Sequence, residues 1–204
     1  MEILGKLFGS PARVKLMRLF LMNPENIFEK KEVSRRSKVS GAMLRKEMRL
    51  LEDVGLIKPK VTVLVQPPKS KKGKTKKKKI HGFTLDVTFP FLVALRSLVT
   101  EVALGKEDLS ARFRNCGQMK LIVASGVFLD EEHSRVDILL VGDKLKKPVI
   151  EGVLRRLEAE LGKELVYGIL ETPEFEYRHG IYDKFIRDIL DYPHLVVLNK
   201  LNLF

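Results

Sequence analysis

The chain lacks the marks of an exported or membrane-embedded protein. It has one cysteine, Cys116, so no internal disulfide can form, which fits a reducing cytoplasm. No apolar run approaches the roughly 20 residues that span a bilayer, so no membrane association is expected. Met1 to Lys6 lack the charged start, long apolar stretch and small-residue cleavage site of a secretory leader, and none is expected. The four histidines, His81, His133, His179 and His194, show no ligand spacing, so no metal and no other cofactor is expected. Cys116 reads as a small buried or half-buried side chain rather than a nucleophile.

Carboxylates are scarce in one half only. Residues 1–81 hold 22 Lys+Arg against 7 Asp+Glu, a balance of +15, whereas residues 82–204 hold 16 against 19, a balance of −3. A length of 204 residues suits two domains. A basic half joined to a mildly acidic one suggests a nucleic-acid-binding module attached to something else. A solubility tail or a membrane-surface patch would show the same imbalance, so the scaffold beneath the charges decides.

Ser10-Pro11 opens a helix, with Ser as N-cap and Pro at the first helical position. Ala12, Leu16, Leu19 and Phe20 form its apolar face, with Arg13, Lys15 and Arg18 off that face, and Asn23-Pro24 ends it. Lys30 to Ser37 makes a second helix around Val33. Ser40 is placed to N-cap a third, residues 40–54, which Gly55 ends. In that helix Leu44, Met48 and Leu51 point inward, while Ala42, Arg45, Lys46 and Arg49 share the opposite face behind Ser40 and Gly41. Arginine can read guanine bidentately in a major groove, and lysine can contact phosphate or base. An ordinary solvated basic face has the same pattern.

Two β-rich runs follow, Val61–Val65 and Ile80–Leu85, separated by a tip at 66–79. Eight of the eleven residues from 69 to 79 are lysine (Lys69, Lys71, Lys72, Lys74, Lys76, Lys77, Lys78 and Lys79), and none is acidic. Such a tip is not expected to fold on itself, because like charges repel and nothing apolar is available to bury. Along a phosphate backbone it would release counterions. A solubilising or nuclear-localisation run is the other use of such a tract.

Residues 8–88 resemble winged helix-turn-helix repressors, especially the arsenical-repressor type. Phe8 to Leu16 looks like the family's first helix, Glu32 to Ser40 its second helix and turn, and Leu50 to Ile57 the end of its recognition helix entering the wing. The resemblance implies that residues 40–49 enter the major groove of double-stranded DNA. The metal-sensing cysteines of some members are absent, so metal sensing is not implied.

Residues 89–115 read as a connector. A helix over 90–103 is apolar through a wide arc (Phe91, Leu92, Leu95, Leu98, Val99 and Val102), more than one packing surface needs, and a short helical piece spans 106–115. From 116 to 204 strands and helices alternate. Strands are expected at 121–124, 136–143, 165–170 and 195–198, and helices at 148–161 and 174–190, the last at least after Gly180. This is a small α/β unit with a mixed sheet in an α+β chain. In Tyr177-Arg178-His179 and Tyr182-Asp183-Lys184 the tyrosines are expected inward and the charges solvated.

Ala124-Ser125-Gly126 and Ser134-Arg135-Val136-Asp137 are similar to the minimal-nucleotidyltransferase signature. In that family a Gly-Ser turn holds nucleotide phosphates, a Ser-Asp-x-Asp strand supplies two metal-binding carboxylates, and a later strand supplies a third. Here Ser134 and Asp137 remain, Arg135 stands at the first aspartate position, the turn is altered, and 165–170 has no carboxylate. A guanidinium where magnesium would sit implies a domain without catalysis. Two residues apart on one strand, Arg135 and Asp137 are placed to pair. The combination of the two domains resembles bacterial regulators. The expectation is a cytoplasmic, DNA-binding transcription regulator, acting as a homodimer whose second domain dimerises or senses a small molecule or a protein partner. The alternatives are an active nucleotidyltransferase targeted by its winged helix and an RNA- or ribosome-associated accessory protein.

Overall fold

Ser10 is extended and its hydroxyl accepts the Arg13 amide at 3.2 Å, so α2 (Pro11–Leu21) starts where the Ser-Pro pair places it. A short α1 (Glu2–Leu7), with no counterpart in the sequence reading, precedes it. The computed structural model describes residues 2–66, 76–100, 106–129, 131 and 134–203. The protein is mixed α+β and divides into two units: Met1–Glu101 with Glu158–Lys163, and Val102–Leu157 with Glu164–Phe204. Among the described residues no helix is long and apolar enough to cross a membrane.

In the first unit α3 (Lys30–Ser37) ends at Lys38, which takes a left-handed φ of 57°, and the chain turns into α4 (Gly41–Asp53). Ser40 is extended before α4 but makes no side-chain cap, contrary to expectation. Leu44, Met48 and Leu51 are buried as their spacing requires, in one core with Val14, Leu16, Leu19 and Phe20 of α2 and Val33 of α3. Glu47 joins them at 2% exposure, held by Arg13, whose Nε lies 2.8 Å from its Oε2 while Nη1 donates to the Phe8 carbonyl at 2.6 Å.

Arg18 departs from the expected pattern. It was placed off the apolar face but is 2% exposed. Its Nε donates to the Val99 carbonyl at 2.6 Å and its Nη1 to the Glu160 carbonyl at 2.9 Å, both within this unit. Both acceptors are carbonyls in the last turn of a helix, which have no intrahelical donor. Burial pushes the guanidinium pKa down, and the charge of Glu160 opposes that.

Strands β1 (Ile57–Gln66) and β2 (Lys76–Leu85) form an antiparallel hairpin, in register from Ile57 opposite Leu85 to Gln66 opposite Lys76. Phe28 ties the hairpin to the helices by exchanging two backbone hydrogen bonds of 2.9 Å with Phe83. The strands outrun the expected limits, and Lys76 to Lys79 belong to β2 rather than to an unfolded tip. The register gives the reason. These lysines lie opposite Gln66, Val65, Leu64 and Val63, so no cation faces another across the ladder. Lys69, Lys71, Lys72 and Lys74 lie outside the described residues. After β2, Asp86 accepts the Thr88 hydroxyl and amide and the Lys58 ammonium, which hold its pKa down to about 2. The chain then enters α5 (Leu92–Thr100), which packs Val99, Leu92 and Leu95 on the first core and exposes Phe91, Val93 and Leu98 at its start and on its other side.

In the second unit α6 (Lys106–Arg112) leads into a four-stranded sheet of order β5-β4-β3-β6. Its strands are β3 (Gln118–Ala124), β4 (Ile138–Asp143), β5 (Tyr167–Glu171) and β6 (Leu195–Asn199), antiparallel except for β4 with β5. Helix α7 (Lys147–Leu161) joins β4 to β5. One face, with Leu121, Val123, Leu139, Val141 and Leu170, packs against Phe175 of α8 (Thr172–Gly180) and Ile186 and Ile189 of α9 (Lys184–Leu190). The expected single helix is thus two, broken at Tyr182, which has a left-handed φ of 55°. Tyr177, Ile181 and Tyr182 point outward at 68%, 56% and 81% exposure, because Phe175 and Ile186 fill the inward positions.

Removing either partner of the Arg13–Glu47 pair should have unequal effects. Arg13→Met leaves a buried carboxylate without a cation and should cost about 3–5 kcal/mol. Glu47→Gln leaves an arginine that still reaches the Phe8 carbonyl and water, and should cost about 1–2 kcal/mol. Urea unfolding of both variants measures this, and a larger loss for Glu47→Gln would overturn the account.

Candidate nucleic-acid interface

Helix α4 presents Gly41, Ala42, Arg45, Lys46 and Arg49 to solvent, with Ser40 exposed just before it. The residues that could touch a groove are therefore displayed as their spacing predicts. Arg49 Nε lies 3.9 Å from Asp53 Oδ2 with both side chains exposed, a weak pair that leaves the guanidinium able to turn to another anion. The hairpin displays the expected Lys79 on β2 and adds Lys60 on β1, which the sequence reading did not single out. Both are exposed, as is His81, and Lys79 and His81 lie beside the exposed Val63 and Val61 that they oppose. Lys38 stands exposed in the turn between α3 and α4. Strand alternation would have located Lys60, but the left-handed turn at Lys38 has no signal in residue type.

The stretch from Ala124 to Asp137 is assembled differently from the expectation. Arg135 and Asp137 precede β4, which starts at Ile138, and they do not pair. Arg135 Nη1 lies 3.9 Å from Asp188 Oδ2. Asp137 is 8% exposed and works as a clamp: Oδ1 accepts the Val127 amide and Oδ2 the Val166 amide, each at 2.8 Å. Ser134 Oγ accepts the Gly126 amide at 3.0 Å, and Ser125 Oγ donates to the Val136 carbonyl. Gly126 has a left-handed φ of 55°, and a Cβ there would fall on Asp137 Oδ1. Both Asp137 oxygens are thus spent on holding the turn after β3 and the start of β5.

Strand β5 reaches one residue beyond the expected range and takes in a carboxylate, Glu171. It lies opposite Gly142 at the far end of β4 from Asp137, and its Oε1 is 3.4 Å from the Leu145 amide. Among the described residues no group of three or more His, Cys, Asp and Glu side chains is placed to hold a metal ion. Cys116 is fully buried, and burial pushes its thiol pKa up against the opposing charges of Arg156 and Lys146.

If Asp137 is a clamp, Asp137→Ala should destabilise the chain by about 1–3 kcal/mol, since two amides lose their acceptor. Gly126→Ala should do comparable harm by displacing the same carboxylate, and Arg135→Ala should cost under about 1 kcal/mol, as expected of a long, partly exposed pair. Thermal unfolding compares the three. An Asp137→Ala chain as stable as the unmodified one would rule the clamp out.

No protein-family model matches the chain, and neither does any curated protein or solved structure.

Proposed function

We propose that the protein is a transcription regulator that binds double-stranded DNA through a winged helix-turn-helix in its first unit. The observation that carries this reading is the sidedness of α4. One face buries Leu44, Glu47, Met48 and Leu51, the other exposes Ala42, Arg45, Lys46 and Arg49, and a lysine-rich hairpin follows directly. In this reading α4 lies in the major groove, where Arg45 and Arg49 read base edges and Lys46 contacts phosphate or base. Each ten-residue hairpin strand spans about 33 Å, enough to carry lysines along the phosphate backbone.

The second unit serves regulation rather than catalysis: it dimerises the chain or receives a small ligand or a protein partner. Two features favour a role without chemistry, namely Arg135 at the position of a metal-binding aspartate and the engagement of both Asp137 oxygens by backbone amides. The exposed Phe91, Val93 and Leu98 at α5 suit a two-fold contact, which would match an inverted-repeat operator.

The direct test is recovery of bound fragments from genomic DNA, with an enriched inverted repeat as the expected result. On that site Arg45→Ala and Arg49→Ala should each cost on the order of 1–3 kcal/mol and relax sequence preference. Equal losses on random duplex would remove the base-reading role. Shortening the 69–79 tract should weaken binding to every sequence and flatten the dependence of log affinity on log salt, and an unchanged slope would show that the tract does not touch phosphate. Structured RNA outcompeting duplex DNA at equal salt would replace this reading with the RNA-associated one.

A further inference from the structure

We propose that the second unit holds a binding site for a small phosphorylated molecule of nucleotide size, in the cavity between the end of α6, the start of β3 and the end of β6. The cavity has a volume of about 740 Å³, within the range of about 300–1,000 Å³ usual for small-molecule sites. Arg114, Lys120 and Lys200 line it, and among the described residues none that lines it is acidic. That is notable in a half of the chain whose net charge is −3. Part of the wall is apolar, formed by Met119 with the half-buried Val197 and Leu198 of β6. A guanidinium fork and two ammonium groups suit a phosphate. The apolar wall suits a flat body attached to it.

The backbone sets two of these cations side by side. The pairing of β3 with β4 shifts between Met119 and Leu121, so Lys120 has no ladder partner on β4. A bulge of this kind re-aims a side chain, and bulges are common next to sites. On its other side the Lys120 carbonyl accepts the Lys200 amide at 2.8 Å, which fixes the two lysines as neighbours. Gly142 makes the bulge possible, since a Cβ there would collide with the Gln118 carbonyl. Lys120 Nζ also lies 3.9 Å from Asp143 Oδ2, with both side chains more than a third exposed. An arriving phosphate can displace such a contact. The cavity opens at the start of β3, whereas the altered nucleotidyltransferase-like turn follows its end at Ala124, so the two are separate places.

This site would give the ligand-sensing part of the proposed function a location, but its test needs no DNA, so either reading can fail alone. ADP titrated calorimetrically into the full chain is expected to bind saturably at one site per chain. Arg114→Gln with Lys200→Gln, both exposed positions, should weaken it by at least about tenfold with the circular dichroism spectrum unchanged. Arg155→Gln with Arg178→Gln removes the same charge elsewhere in the unit and should leave the affinity within about twofold. Absence of saturable ADP binding overturns the proposal, as does binding that survives the cavity substitutions. If those substitutions instead lower affinity for duplex DNA while ADP does not bind, the cavity belongs to a nucleic-acid surface and the proposal is overturned.

Discussion

Leu44, Glu47, Met48 and Leu51 stand at i, i+3, i+4 and i+7, the stripe a helix presents to a core, and one of the four is a carboxylate. The orientation of α4 depends on how that carboxylate is housed. Arg13 houses it from α2, and the same guanidinium reaches the Phe8 carbonyl in the turn before α2. A buried ion pair adds little net stability over an apolar pair, because desolvation offsets the attraction. It does impose direction. With Glu47 tied to Arg13, rotating α4 about its axis would leave a buried charge unpartnered, so the face carrying Ala42, Arg45, Lys46 and Arg49 stays outward.

The elements easiest to foresee were those bounded by local chemistry. Ser10-Pro11 and Asn23-Pro24 delimit α2, and the run 30–37 coincides with α3, because caps and breakers act within a few residues. What residue type concealed was decided by distant partners. Arg18 looks like a surface residue until the carbonyls of Val99 and Glu160 are brought to it from 81 and 142 positions away. Lys76 to Lys79 look like an unstructured tip until their partners across the hairpin prove to be Gln66, Val65, Leu64 and Val63. The α8–α9 break follows Gly180, which the sequence does mark, but the left-handed residue that makes it is a tyrosine, Tyr182.

In the second unit the same limit appears in chemical form. The pattern from Ser125 to Asp137 has the residue types of a phosphate-and-metal motif, yet types alone leave the direction of each oxygen open. Asp137 sits in the turn before β4, its oxygens face the Val127 and Val166 amides, and Gly126 is required so that the carboxylate can approach. A carboxylate engaged in this way serves the same purpose as a capped helix end. It satisfies two backbone donors from separate segments and so fixes them together. Arg135 can then tolerate its position, because its own anion is Asp188 rather than a shared metal.

The cations of the two halves differ in how solvent treats them. Arg45, Lys46 and Arg49 on α4 and Lys58, Lys60 and Lys79 on the hairpin are exposed, and at physiological salt, with a screening length of about 8 Å, each interacts mainly with what it touches. Such an array suits a long polyanion, where many weak contacts add and release counterions together. Arg114, Lys120 and Lys200 converge on one concave site. In the proposed site a single compact anion would draw on the three charges together. The first arrangement rewards length of ligand and the second rewards shape. On the two proposals, a chain with a basic half and a mildly acidic half would use positive charge in two distinct ways.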